Sequence, residues 1–140
     1  MQIQVIPGKM ESTWNEDVKA VVDTWTTYSV TLEEFKNAVL IKGIDFAKAR
    51  HGIAWIVDSS TAKGAFSQEI QDFIGSDIFP GFVKNGIKYF ITISSKVSPI
   101  TNLTVKQYAA QAGPHGLKLI ELNSADDAIK WLKANAFSKV

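Results

Sequence analysis

The sequence predicts an α/β fold: a mostly parallel sheet of four to five strands flanked by helices, with an antiparallel strand at its N-terminal edge. Three observations carry this reading. Short apolar runs at 18–25, 53–57, 87–93 and 117–122 alternate with amphipathic helical stretches, an order that requires right-handed crossovers and hence parallel strands. The helical stretches open on capping residues and close on glycine-bearing turns. A short alternating segment and a turn precede the first run, which is the pattern of a hairpin.

Taken in order, Ile3 and Val5 alternate with glutamines, Pro7-Gly8 turns the chain, and 10–14 forms a second extended piece. Asn15-Glu16-Asp17 is a turn. In 18–25, Val18, Ala20 and Val22 share one face, while Val21 and Trp25 share the other with Asp23 between them. A hairpin then pairs 10–14 with this strand and makes 10–14 the antiparallel edge.

Thr31-Leu-Glu-Glu34 is a capping-box pattern, so a helix should run from Leu32 to about Ala49. Leu32, Phe35, Val39, Leu40, Ile44 and Ala47 form its buried stripe. Gly43 inside it weakens the helix by ~1 kcal/mol relative to alanine. His51-Gly52 ends it, and the strand 53–57 follows. Ser67 caps the next helix, with Ile70, Phe73 and Ile74 on its inner side. Pro80 would cost ~3 kcal/mol in a helix interior, so a break between Gly75 and Pro80, or a restart capped by Ser76 or Asp77, is expected. Phe79, Phe82 and Val83 continue the apolar surface to an Asn85-Gly86 stop. The strand 87–93 ends in Ser94-Ser95-Lys96, and a helix from about Leu103 to Ala112 stops at Gly113-Pro-His-Gly116. After the strand 117–122, Asn123-Ser124 caps a last helix with Ala125, Ala128, Ile129 and Leu132 inward and Trp131 flanking.

The totals narrow the function. A chain of 140 residues suits one domain, 1–140, that buries roughly two-thirds of its unfolded surface without a metal or staple. Cysteine is absent, which excludes disulfides, thiolate metal sites and cysteine nucleophiles. Fifteen Lys and Arg against fourteen Asp and Glu leave a net charge of +1, which gives no support for nucleic-acid binding. No stretch approaches the roughly 18 apolar residues of a spanning helix, and the first seven residues are too short and polar for a signal peptide. A cytoplasmic location is the default expectation.

The stretch 53–64 marks the functional edge. Its apolar run stops at Asp58 and opens into Ser59, Ser60, Thr61 and Lys63. In open parallel sheets, ligands sit outside the carboxyl ends of the strands, so this loop and the one after Ile93 should share a rim. The same residue types are ordinary turn formers that bond local backbone donors. Phe66, Phe73, Phe79 and Phe82 crowd the helix beside the loop. They read either as a core wall or as an apolar pocket or exposed dimer patch rimmed by Asp58, Ser59 and Lys63.

Several chemistries fail on the residues. A phosphorelay receiver needs additional carboxylates to hold Mg²⁺, and Trp25-Thr26-Thr27 offers none. A serine hydrolase needs a base at the nucleophile, whereas His51 and His115 precede their strands and belong at the far edge. Two isolated histidines make a poor metal site. Glycine-rich phosphate loops and Gly-x-Ser-x-Gly are absent, and no cofactor is implied.

The succession of capped helix, strand ending in Val57-Asp58, small-residue loop with Gly64, helix containing Phe79-Pro80 and closing on Asn85-Gly-Ile-Lys88, and strand resembles the SpoIIAA-like proteins. The closing strand 117–122 with Ser124-Ala-Asp-Asp-Ala-Ile-Lys-Trp-Leu132 is similar to that family's ending. The likeness spans about Met10 to Ala134. It lies in hydrophobics and turn residues, not in a catalytic signature. The family is grouped with the STAS fold and loosely compared with CRAL-TRIO lipid-binding domains. The resemblance implies a four- or five-stranded sheet and a tendency to form homodimers, with no established activity. Anti-sigma-factor antagonists carry a phosphorylated serine in Asp-Ser-Ser-Gly. Asp58-Ser59-Ser60 matches three of these residues, but Thr61 replaces the glycine and the segment abuts its strand. Ser59 would be the phosphoacceptor carried over by that likeness.

The reading is therefore a non-enzymatic interaction or regulatory module of STAS type, acting through the strand-to-helix loops on another protein. The alternative is a carrier of a small apolar ligand or lipid, which requires a closed apolar cavity of roughly 300 Å³ or more; a solid core would end it. An enzyme using Asp58 as base is the weakest option and requires a second polar group converging on that carboxylate.

Overall fold

The computed structural model describes residues 1–136; the predicted domain 1–140 extends past them. Six strands form one sheet in the order β1-β2-β3-β4-β5-β6. They are β1 (Gln2–Ile6), β2 (Met10–Asn15), β3 (Ala20–Trp25), β4 (Ala54–Asp58), β5 (Tyr89–Ile93) and β6 (Lys118–Leu122). β1, β2 and β3 pair antiparallel, and β3 to β6 run parallel. The predicted fold class holds, with one strand more than expected. The segment 10–14 is not the edge, because β1 pairs with it from outside.

Local rules explain most boundaries. The Thr31 hydroxyl accepts from the Glu34 N–H at 3.1 Å, and Glu34 accepts from the Thr31 N–H at 2.9 Å. This box starts α1 (Leu32–Phe35), which passes through a π-helical stretch, Lys36–Ile44, into α2 (Asp45–Ala49). Ser67 caps α3 (Gln68–Phe73), its hydroxyl accepting from the Ile70 N–H at 3.2 Å. The helix starting at Pro99 begins four residues earlier than the sequence suggested, because Ser98 caps it and Pro99 occupies the first turn. It is α5 (Pro99–Ala109), and α6 (Ala125–Asn135) is capped by Ser124.

The expected break at 75–80 does not occur. α3 runs through a π turn, Ile74–Ile78, into α4 (Phe79–Lys84). The Phe79 N–H donates to the Ile74 carbonyl, five residues back. That wider spacing lets the chain absorb Pro80, which lacks an N–H, within the next turn. Ser76 and Asp77 stay exposed in the π turn, hydrogen-bonded to each other rather than capping a restart. Gly86, at φ 93°, supplies the left-handed residue that ends α4, and the Ile87 N–H reaches back to the Phe82 carbonyl at 2.9 Å.

The strand order decides where the helices go. Each crossover steps one strand further the same way, so right-handed connections place all of them on one face. Phe35, Val39, Ile70, Ile78, Phe82 and Tyr108 accordingly share a core with Val21, Trp25, Trp55, Val57 and Phe90. The opposite face, with Val22, Ile56, Ile91 and Ile93, is covered by Ala128 and Leu132 of α6.

Candidate functional site

The loops after β3, β4 and β5 do meet at one rim. The Ser59 N–H donates to the Ile93 carbonyl at 3.1 Å, the Lys96 N–H to the Ser60 carbonyl at 2.9 Å, and the Ser95 hydroxyl to the Ala62 carbonyl at 2.8 Å. On the other side the Tyr28 N–H donates to the Lys63 carbonyl at 2.9 Å, and the Lys63 N–H to the Thr26 carbonyl at 3.2 Å. The polar loop is thus stapled between its neighbours.

Because the strand order never reverses among the described strands, the crevice that a reversal opens is lacking. The nearest equivalent lies between β5, which feeds α5 on one face, and β6, which feeds α6 on the other. The Lys96 ammonium donates to the Asn123 carbonyl there at 3.0 Å.

The predicted loop residues part company. Asp58 accepts from the Ser60 N–H at 3.0 Å, a local turn bond. Thr61 and Lys63 are exposed and Ser60 is half-buried. Ser59 is 0% exposed, and its hydroxyl is hydrogen-bonded to the Tyr28 hydroxyl. The Tyr28 hydroxyl lies 3.1 Å from that of Tyr108. Burial pushes the Tyr28 phenol up to about 12 and that of Tyr108 well above its ordinary value, so both stay protonated. His51 precedes β4 and His115 lies in the turn before β6, at the opposite ends of these strands from Ser59.

The aromatic residues do not form an exposed patch. Phe66, Phe79 and Phe82 are buried, and Phe73 is half-buried against Phe35. Their helix turns these rings onto the sheet and presents Glu69, Asp72, Ser76 and Asp77 to solvent. Phe66 sits at the centre, stacked on Tyr28 with ring centroids 3.9 Å apart and edge-on to Trp25 at 5.2 Å. Exposed apolar side chains are spread over Met1, Val5, Ile41, Val83 and Leu119, and three more come close together around the start of α5, where Val97, Ile100 and Leu103 are 54, 59 and 55% exposed. This segment adjoins the loop, since the Thr101 hydroxyl bonds the Gly64 carbonyl. Between Asp77 and Glu121 the sequence holds no acidic residue and carries Lys84, Lys88, Lys96, Lys106 and Lys118.

Phe66, Phe79 and Phe82 do line a cavity of about 30 Å³ between helices and sheet. One polar residue on its wall was not singled out as a site residue. Asp23, 2% exposed, accepts from the Trp55 indole N–H at 2.9 Å and from the Ser12 hydroxyl. Burial pushes its carboxyl up to about 6, while those two hydrogen bonds act in the opposite direction. A signal existed: Asp23 lies in register with Val21 and Trp25, facing inward. Tyr28 and Tyr108 gave none, because their pairing joins loops far apart in the chain.

Among the described residues, no group of three or more His, Cys, Asp or Glu could hold a metal ion. No helix there is long and apolar enough to cross a membrane. Comparison with family models, with curated proteins and with solved structures finds nothing that matches the chain.

Proposed function

We propose that the protein is a non-enzymatic interaction module of STAS type that docks another protein at the loop edge. Its contact surface is Val97, Ile100 and Leu103 beside Lys63, Lys96 and Lys106. The single observation that carries this is the exposed apolar triplet at the start of α5, in a stretch of sequence free of carboxylates. An apolar centre with a polar rim is the anatomy of a docking surface, and the rim on the α5 side carries lysines without carboxylates. The complementary partner is a protein surface with an apolar hollow ringed by Asp and Glu.

The alternative, a carrier of an apolar ligand or lipid, asks for about ten times the volume of the interior cavity. Regulation through Ser59 asks for the loop to open first, because a kinase needs the hydroxyl that Tyr28 now holds.

The test is site-specific photo-crosslinking in host cells from position 100, against position 130 on α6 as the reference. The expected result is one discrete adduct from position 100 that is lost in Leu103→Asp and weakened by added salt. Equal adduct patterns from both positions would refute the reading.

A further inference from the structure

The cavity on the helix-covered face has an unusual wall. It is built of aromatic rings, among them Trp25, Trp55, Phe79, Phe90 and Tyr108, with aliphatic side chains and one carboxylate, that of Asp23. Every lining residue is buried. Among the described residues, no lysine, arginine or histidine forms an ion pair with Asp23. Trp55 and Ser12 each donate one hydrogen bond to it, which leaves acceptor capacity, because a carboxylate offers about four lone-pair sites. An enclosed anion without a counter-ion is costly, and ring faces attract cations. The cavity, at about 30 Å³, has room for roughly two water-sized groups.

A second, independent feature points to the same place. Both helical rods over the cavity depart from α geometry where they reach it. Val39, on the wall, belongs to the π-helical stretch Lys36–Ile44, and Ile74 and Ile78, also on the wall, bound the other π turn. Returning a π turn to α geometry shifts the register by one residue and rotates the side chains that follow by about 100°. Both turns contribute side chains to the cavity wall, and π turns recur at functional sites.

We propose that this cavity is a binding site for a small ammonium ion, of the size of ammonium or methylammonium. The Asp23 carboxylate is its counter-ion, the surrounding rings are its cation-π wall, and access is through a π turn. The site is separate from the loop-edge surface, and neither reading depends on the other.

The test is an NMR titration of ¹⁵N-labelled protein with methylammonium chloride at pH 7, read at the indole N–H signals of Trp25 and Trp55. Sodium chloride and tetramethylammonium chloride at matched concentrations are the controls. The expected result is a saturable shift with methylammonium, and none with sodium or the bulkier tetramethylammonium. Asp23→Asn abolishes the shift, and lowering the pH to 4.5 weakens binding in the unaltered protein by roughly thirtyfold as the carboxylate is protonated. The pH comparison needs no variant, so it decides the matter if Asp23→Asn does not fold. Shifts that match those with sodium, binding that persists in Asp23→Asn, or affinity unchanged at pH 4.5 each overturn the proposal.

Discussion

The indole N–H of Trp55 donates to the Asp23 carboxylate across 2.9 Å, tying neighbouring parallel strands together inside an aromatic core. The indole therefore holds a buried charge in place, and that charge makes stability depend on pH. Asp23 keeps its proton to about pH 6 in the folded protein, against 3.8 for the ordinary side chain. The folded state thus binds more protons than the unfolded chain between these values. The stability that protonated Asp23 contributes is fully present below 3.8 and is lost as pH rises through about 6. The loss is on the order of 3 kcal/mol. Asp23→Asn removes this term; its carbonyl oxygen still accepts from Trp55, and its amide N–H faces Ser12, whose hydroxyl turns from donor to acceptor. Urea unfolding at several pH values should show the variant gaining on the parent by about 2 kcal/mol or more from pH 4 to pH 8. A constant difference between the two would contradict the assignment.

Gly43→Ala should destabilise, although alanine is the better helix former by ~1 kcal/mol. A Cβ there would stand 2.8 Å from the Trp55 ring and 3.1 Å from the Ala38 carbonyl. Trp55 cannot yield, because it is stacked on Phe82 at 4.5 Å and bonded to Asp23. Overpacking of this kind costs about 1–3 kcal/mol, so a net loss in chemical denaturation is expected, where an exposed helix site would gain.

The tyrosine pair predicts an asymmetry. Tyr108→Phe leaves the Tyr28 hydroxyl with Ser59 and should cost about 1 kcal/mol. Tyr28→Phe strips both Ser59 and Tyr108 of their shared partner and should cost about 2–4 kcal/mol. Equal losses in thermal or urea unfolding would mean that the chain Ser59–Tyr28–Tyr108 does not act as a unit.

Phe79→Ala and Ile100→Asp should separate core from surface. Phe79 is 0% exposed and packs edge-on against Phe90 at 5.0 Å. Its truncation should cost about 3–5 kcal/mol. Ile100→Asp lies on exposed surface and should stay within about 0.5 kcal/mol of the parent. A large stability loss at position 100 would place that side chain in the core.

The sequence by itself determined the alternation of elements, the inward faces of the strands and the caps at Thr31, Ser67 and Ser124. These are settled by interactions within a few residues, and each shows in spacing alone. The common rim of the loops after β4 and β5 was legible for the same reason, because parallel order follows from alternation. Tertiary structure decided the rest. The Ser59 hydroxyl was free to face solvent or core until Tyr28 and Tyr108, 80 residues apart, met beneath it. The phenylalanines from 66 to 82 could form a patch or a wall until the sheet offered Trp25, Trp55 and Phe90 to cover. The π turn before Pro80, in place of a break, keeps Ile74, Ile78 and Phe79 in the core over the sheet, a contact that lies far off in the chain. A local pattern records which residues can be buried, but what each side chain meets there is set by chain closure over tens of residues, which spacing does not encode.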